Sequence, residues 1–193
     1  MTGLFERIEG LMGMDDRVWA RHANPFSVYT RILSGPLIFL AFWSVFWIGF
    51  LGLGLIAFAV LWIWANPRLF PPPKDTESWA TKGVLGERVF LNRKAVPIPI
   101  GHGRAAYLTT AFAIGFVVIT VYGFLTRDFI TALAGWHGAL VAKLWFVDRM
   151  AWLWEEMRAM HPVYTAWDRA DWTASLEQNA AHGQNKNVAD EPQ

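Results

Sequence analysis

The chain has 193 residues, of which 54% are hydrophobic and twelve are tryptophan, and its formal net charge is +1. This length suits one compact domain, and so small a net charge argues against a nucleic-acid partner. Because the sequence contains no cysteine, disulfides, thiolate catalysis and cysteine-based metal or iron–sulfur sites are excluded.

The first segment, residues 1–31, alternates charged and apolar residues. It lacks the basic start and apolar core of a signal peptide. Apolar residues recur at helical spacing between Leu4 and Met12, and they predict an amphipathic helix. This helix either lies flat at the lipid headgroups or packs over the cytoplasmic face of a helix bundle.

Residues 21–31 collect polar side chains where the first apolar run begins. They are Arg21, His22, Asn24, Ser27, Thr30 and Arg31. Because two arginines can hold a phosphate or a carboxylate through paired hydrogen bonds, the group is a candidate polar site at the membrane surface. The alternative is a helix capped by Asn24, with Pro25 at its first position and the arginines as interface anchors.

Residues 32–67 carry no Asp, Glu, Lys or Arg over thirty-six positions, which is typical of a membrane-spanning stretch. As one straight helix it would be about 50 Å long, against a hydrocarbon core of about 30 Å. Three glycines between positions 49 and 54 tolerate the dihedral angles of a tight turn. We therefore predict a hairpin of two transmembrane helices, at 36–48 and 53–65, with a start at Pro25 as the alternative for the first.

Residues 68–104 are predicted to form a proline-rich cytoplasmic loop. Within it, the stretch 79–92 is long enough for a short surface helix or a strand pair, and it contains Arg88. His102 and Arg104 follow beside glycines, where backbone N–H groups could approach an anion. A flexible connector is the alternative interpretation of this end of the loop.

Residues 105–147 contain two further apolar runs separated by Arg127 and Asp128, and they predict a second hairpin. Lys143 is the only charged residue in the second run. His137 either makes one hydrogen bond between helices or is the axial ligand of a tetrapyrrole. Small residues four apart, which allow membrane helices to pack closely, are Ala111 and Gly115, Gly135 and Ala139, and Gly138 and Ala142.

The fourth helix is predicted to continue beyond the membrane, because its pattern persists until Pro162 and makes residues 148–178 a helical extension. Asp148 and Glu155 fall near one stripe of it, and we expect both to face arginines in a cytoplasmic cavity, either for chemistry or as salt bridges. The arginines on that side are Arg21, Arg31, Arg88 and Arg104. Residues 179–193 have little to bury and are predicted to be disordered.

Basic residues predict the orientation of the chain. Four, seven and five of the seventeen Lys and Arg fall in residues 1–31, in 68–104 and from 143 onward, so only Arg127 lies on the other side. The positive-inside rule then places both termini in the cytoplasm, with the chain in the inner membrane of a bacterium. Tryptophans predicted for the interface belts are Trp62, Trp64, Trp145, Trp152 and Trp154 inside, and Trp43, Trp47 and Trp136 outside.

Three stretches of the sequence carry a resemblance. The first is Arg-His-Ala-Asn-Pro, then Ser two positions later and Thr-Arg, at 21–31. The others are Asn-Pro-Arg-Leu-Phe at 66–70 and Trp-Ala-Thr-Lys-Gly-Val-Leu-Gly-Glu-Arg at 79–88. Over roughly residues 15–150, the chain resembles a family of small membrane proteins of unknown function found in bacteria and archaea. The resemblance implies that this arrangement recurs, and it implies no activity.

The sequence thus predicts an all-α integral membrane protein, with four transmembrane helices as two hairpins plus cytoplasmic interfacial helices. We expect a non-enzymatic membrane component: a complex subunit, a scaffold or a lipid-binding module. The alternatives are an enzyme acting on an amphiphilic or phosphorylated substrate at the cytoplasmic interface, and a small transporter. The expected partners are the lipid bilayer and other membrane-protein subunits or bound lipid, without nucleic acid, metal or cofactor. The candidate polar site comprises Arg21, His22, Asn24, Ser27, Arg31, Arg88, His102, Arg104, Asp148 and Glu155.

Overall fold

A computed structural model of the protein describes residues 16–168, with their side chains from residue 18 onward. Within that range the chain is helical and contains no strand. The α-helices in chain order are α1 (Asp16–His22), α2 (Pro25–Trp43), α3 (Val45–Ile48), α4 (Leu51–Leu69), α5 (Trp79–Leu91), α6 (Ile100–Thr126), α7 (Phe129–Met157) and α8 (Pro162–Asp168). The amphipathic helix predicted at 4–12 and the tail predicted to be disordered lie outside the described residues.

Four stretches are long and apolar enough to cross a membrane, which confirms the all-helical, four-segment part of the prediction. They are Pro25–Ile48, Leu51–Leu69, Ile100–Thr126 and Phe129–Met157. The first of them joins α2 and α3, and the others are α4, α6 and α7.

The first apolar run turns at Gly49, whose φ of 57° lies in the left-handed region that glycine adopts without strain. Its helices are longer than the main prediction. α2 begins at Pro25, because Asn24 caps it and proline suits the first helical position. α4 continues through Pro67 instead of stopping near it, because buried hydrogen bonds of Asn66 hold its last turns against α2.

The stretch between the two apolar runs contains α5, which decides between the helix and the strand pair that the sequence left open. α5 lies directly against the C-terminal half of α7. A Cβ atom at Gly86 would overlap the Met150 carbonyl, and one at Gly83 would overlap the Val147 side chain. The two glycines therefore let the helix backbones approach each other closely.

α6 and α7 are joined at Arg127 and Asp128, as predicted. Arg127 has a left-handed φ of 56°, and Asp128 caps α7 by accepting hydrogen bonds from the N–H groups of Ile130 (3.1 Å) and Thr131 (3.2 Å). α7 then runs to Met157, well past the end of the apolar run, as its periodic pattern predicts.

α6 begins at Ile100, five residues earlier than predicted. The N–H groups of His102 and Gly103 both donate to the Pro99 carbonyl and so belong to the first turn of this helix. The interpretation as a flexible connector is therefore wrong, and the N–H groups of His102 and Gly103 already have a partner within the chain.

Close approach between α6 and α7 depends on three glycines. Cβ atoms at Gly123, Gly135 and Gly138 would collide with the facing helix; the one at Gly135 would lie 2.5 Å from the Thr120 nitrogen. At Gly115, by contrast, no described atom lies within 4 Å of a Cβ. The small residues of α7 thus pack as predicted, whereas Gly115 does not face another described helix.

Buried aromatic residues mark the two ends of the structure. At one end, Trp154 and Tyr164 are fully buried where α5, α7 and α8 meet. At the other, Phe39 and Trp43 pack against Ala132 at the start of α7. Trp43 and Trp154 therefore fill cores and do not belong to interface belts, because neighbouring helices cover them. Among the tryptophans of the described residues, those that stay exposed are Trp47, Trp64, Trp145 and Trp152.

Candidate functional site

The polar residues before α2 hold its start to the end of α4. Asn24 accepts a hydrogen bond from the Phe26 N–H (2.8 Å) and donates one to the Pro71 carbonyl (2.9 Å). The exposed Arg21 side chain donates to the Arg68 carbonyl (3.2 Å). Both predicted site residues thus connect two segments that are far apart in sequence.

A buried hydrogen-bond network joins α2 to α4. The Ser27 hydroxyl donates to the Asn66 side-chain oxygen (2.8 Å), and the Asn66 amide donates to the Thr30 hydroxyl (2.9 Å). Ser27 and Asn66 are fully buried. Because an unpaired buried amide or hydroxyl costs about 2–7 kcal/mol, these groups stabilise the pair only while they bond each other. Asn66 was not among the predicted site residues, although an amide within an uncharged apolar run was a signal for it.

His22 and Arg31 are in direct contact. The Arg31 guanidinium lies 2.6 Å from His22 Nδ1 and donates to the carbonyls of His22 (3.3 Å) and Ser27 (3.1 Å). Burial lowers the pKa of His22 well below its ordinary value, and the positive charges of Arg31 and Lys143 lower it further. His22 is therefore neutral at pH 7, and its ring can accept a hydrogen bond from Arg31.

Lys143 and Glu87 complete a group that we call the basic cluster: His22, Arg31, Glu87 and Lys143. The Lys143 ammonium lies 2.9 Å from a Glu87 carboxylate oxygen. The Lys143 charge acts on His22, and the Glu87 charge acts on Arg31. Neither Glu87 nor Lys143 was a predicted site residue. The available signal was that Lys143 is the one charge in an otherwise uncharged run.

Asp148 and Glu155 pair with α5 and with their own helix. Asp148 accepts hydrogen bonds from the Trp79 indole (3.2 Å) and the Arg149 guanidinium (2.6 Å). Glu155 pairs with Lys82 and, at 3.2 Å, with Arg158, the residue that follows α7. The salt-bridge interpretation holds for Glu155, which pairs with Lys82 of the loop segment, but neither carboxylate bonds the arginines expected for it, because α5 packs along this side of α7. The arginines proposed for them were Arg21, Arg31, Arg88 and Arg104.

The three remaining predicted residues lie apart from these contacts. His102 Nε2 lies 2.8 Å from a Glu156 carboxylate oxygen. The Arg88 guanidinium lies 4.0 Å from the centroid of the Trp167 ring, a cation–π contact. Arg104 is exposed near the start of α6. The ten predicted residues thus divide among several contacts and do not form one site.

His137 does not make the expected hydrogen bond to another helix. Its side chain is exposed, and Nδ1 bonds the Leu133 carbonyl of its own helix at 2.9 Å. A tetrapyrrole would need the space beside the neighbouring Gly138, but the Phe116 ring of α6 fills that space. The residues around His137 therefore do not fit an axial-ligand site.

An apolar groove of about 570 Å³ lies between the α2–α4 pair and the α6–α7 pair. α2 contributes Ile38 to its wall and α7 contributes Leu140. The wall also includes Thr120, whose hydroxyl donates a hydrogen bond to the Phe116 carbonyl of its own helix (2.9 Å). The groove therefore offers almost no polar contact to an occupant.

The described residues offer limited chemistry. Across residues 16–168 no group of three His, Asp or Glu side chains is placed to hold a metal ion. What the basic cluster provides is a guanidinium, an ammonium, one carboxylate and a neutral imidazole. That combination suits binding of an anion through charge-assisted hydrogen bonds.

Comparison with known proteins gives a family and no activity. No curated protein and no solved structure matches the chain. A family model matches residues 4–173, a longer range than the 15–150 over which the sequence shows its resemblance. The expectation of an uncharacterised family is confirmed, whereas its bacterial and archaeal membrane character stays a prediction. The chain belongs to the family of unknown function DUF6653.

Proposed function

We propose that this protein is a four-span membrane protein and a non-enzymatic component of that membrane. The surfaces of its four apolar stretches support the placement. Within an apolar stretch of 18 residues in each of them, only 17–28% of the residues are buried inside the protein. Apolar faces of this extent are rare on proteins surrounded by water, whereas lipid covers them without a hydration cost.

We place α1, α5 and α8 on the cytoplasmic side of a bacterial inner membrane. The support is the distribution of basic residues, since Arg127 at the junction of α6 and α7 is the only Lys or Arg on the other side. In this orientation Gly49 and Arg127 both face outward.

Labelling of single cysteines tests the four crossings. The natural chain has no cysteine, so each introduced thiol reports one position. Phe50→Cys and Arg127→Cys should react with a membrane-impermeant maleimide added to intact spheroplasts. Lys94→Cys should react only after permeabilisation. Equal reactivity of all three thiols would refute the four crossings, and the opposite pattern would invert the orientation.

The non-enzymatic role rests on one observation: the candidate catalytic side chains already bond other parts of the protein. Ser27 bonds Asn66, Asp148 bonds Trp79, and Glu155 bonds Lys82. A general acid or base must reach its substrate within hydrogen-bond distance. In this protein the bonds of these three side chains join one helix to another, so the described contacts give them a structural role.

Two substitutions test this role. His22→Ala and Asp148→Asn should leave the cellular lipid profile and growth equal to wild type at matched protein levels. Asp75→Asn, at an exposed carboxylate, is the control for Asp148→Asn. If either variant is present at normal levels yet reproduces the lipid profile of cells that lack the protein, that side chain has more than a structural role and the non-enzymatic proposal fails.

One observation favours the alternative that the protein is an enzyme. His22 is neutral at pH 7 because burial lowers its pKa, and the neutral imidazole is the form in which a histidine acts as a general base, although the Arg31 charge opposes its protonation. The transporter alternative has no comparable support, because the groove between the helix pairs is lined by apolar side chains apart from Thr120 and the Trp136 indole, whose N–H bonds the Gly35 carbonyl at 3.1 Å.

A further inference from the structure

We propose that the groove between the helix pairs binds an anionic phospholipid, with an acyl chain along the groove and the headgroup at Arg31 and Lys143. This inference rests on the proposed placement in the membrane. It narrows the general role of a membrane component to a lipid-binding one and names the class of ligand.

The groove has the size and lining of a lipid-chain site. Its volume of about 570 Å³ lies within the range of about 300–1,000 Å³ that is usual for small-molecule sites. Apolar side chains from all four long helices form its wall, including Phe42, Ile63 and Ala139. An acyl chain gains free energy from such a wall and needs no hydrogen-bond partner there.

The faces of α2 and α7 that line the groove also carry Arg31 and Lys143 of the basic cluster. On α2, Arg31 precedes Ile38 by seven residues, which is two helical turns and about 10 Å along the same face. On α7, Lys143 follows Leu140 by three residues, or about 5 Å. Both cations thus lie beyond the same end of the groove, toward the proposed cytoplasmic surface.

The charges of the cluster favour an anion over any other occupant. Arg31 and Lys143 are cations, Glu87 is the one carboxylate, and His22 is neutral, so one positive charge is in excess. The Lys143 side chain is 52% exposed. Its ammonium has three donors, and Glu87 takes one of them. A lipid phosphate would accept the others, whereas an apolar helix of another protein would leave them unpaired.

Lipid binding to the full-length protein tests the site by native mass spectrometry in detergent. The probes are phosphatidylglycerol and phosphatidylcholine with identical acyl chains. Lys143→Gln removes the charge of an exposed side chain, and Lys74→Gln makes the same change outside the cluster. Ala139→Phe fills the groove, and Ala111→Phe adds the same ring to a separate apolar face of α6.

The wild-type protein should retain phosphatidylglycerol more tightly than phosphatidylcholine. Lys143→Gln should weaken retention of phosphatidylglycerol about fivefold, the effect of one interfacial charge, and leave phosphatidylcholine unchanged. Ala139→Phe should weaken both lipids. The two control variants should match wild type. A melting curve checks that Ala139→Phe is folded, and Ala139→Leu replaces it if it is not.

Three results would overturn the proposal. One is equal retention of the two lipids by the wild-type protein, and another is equal retention of phosphatidylglycerol by Lys143→Gln and Lys74→Gln. The third is displacement of the lipid by inorganic phosphate alone, which would assign the cluster to a soluble anion. None of these results changes the cysteine-labelling pattern, so failure of the lipid site is distinguishable from failure of the proposed membrane placement.

Discussion

The two helix pairs of this protein are held together by opposite means. α2 and α4 are joined by hydrogen bonds of buried side chains, centred on Asn66. α6 and α7 are joined by backbone contact at Gly123, Gly135 and Gly138. In lipid, apolar surface gives little drive for helices to associate, so association needs either hydrogen bonds or close packing. If the protein lies in lipid as proposed, its two helix pairs differ in which of these means predominates.

The largest effect should come from filling the glycine contact. In Gly135→Leu, the new side chain would begin 2.5 Å from the Thr120 nitrogen and 2.9 Å from the Phe116 carbonyl oxygen. Because backbone cannot move aside as a flexible side chain can, we expect a loss of about 3 kcal/mol in the free energy of unfolding. Denaturation by sodium dodecyl sulfate in mixed micelles, followed by tryptophan fluorescence, measures it.

Gly115→Leu is the matched control for that prediction, since no described atom lies within 4 Å of a Cβ there. It should unfold at nearly the wild-type detergent fraction. Equal losses in the two variants would mean that the contact between α6 and α7 is not what Gly135 provides.

Removing the hydrogen bonds of the other pair should cost less. Asn66→Leu keeps most of the side-chain volume but leaves the Ser27 hydroxyl without its partner, so we expect a loss of about 1–2 kcal/mol. The double variant Ser27→Ala with Asn66→Leu removes both groups. It should be more stable than the sum of the single losses predicts, because no buried group is left unpaired. Additive losses would show that the two side chains do not interact.

The sequence predicts the helices well because their signals are local. An uncharged run, a glycine turn near position 49 and the Arg127 and Asp128 junction each act over a few residues. The α2 cap at Asn24 also follows from local rules. The errors concern ends and partners. α4 continues past Pro67 because Asn66 bonds α2, and no local pattern reports a partner about forty residues away.

The candidate site was harder to predict for the same reason. The placement of Asp148 and Glu155 on one stripe of a helix followed from periodicity, yet their partners Trp79 and Lys82 come from α5. Whether the stretch containing α5 was a helix or a strand pair was itself open. The contact of Glu87 with Lys143 was not predicted, because it depends on how α5 packs against α7. Two glycines of α5, Gly83 and Gly86, allow that packing.

A third prediction concerns pH and the place where the two pairs meet. The pKa of His22 is lowered by burial and by the charges of Arg31 and Lys143, with Glu87 as the nearby carboxylate. As pH falls below about 6.5, the unfolded chain therefore binds a proton at His22 before the folded protein does. The contribution of His22 to the free energy of unfolding is therefore fully present above that pH and is lost as the pH falls below it.

We expect the wild-type protein to lose about 1 kcal/mol more than His22→Gln between about pH 7.5 and pH 5.5. Glutamine keeps an acceptor for Arg31 but does not titrate, so the difference between the two proteins isolates His22 from the carboxylates. Thermal unfolding at several pH values measures it. Parallel pH profiles would mean that the His22 ring is solvated in the folded protein.

The smallest expected change in stability concerns two glycines of α4, of which one packs against a neighbouring segment and the other does not. At Gly52 a Cβ would lie 2.7 Å from the Val45 nitrogen, whereas at Gly54 no atom of the described chain lies within 4 Å of it. Gly54→Ala should therefore leave stability unchanged or raise it by about 0.5 kcal/mol, since alanine favours a helix over glycine. Gly52→Ala should lower it in the same detergent titration. A loss in Gly54→Ala equal to that in Gly52→Ala would mean that the face of α4 at Gly54 contacts another molecule.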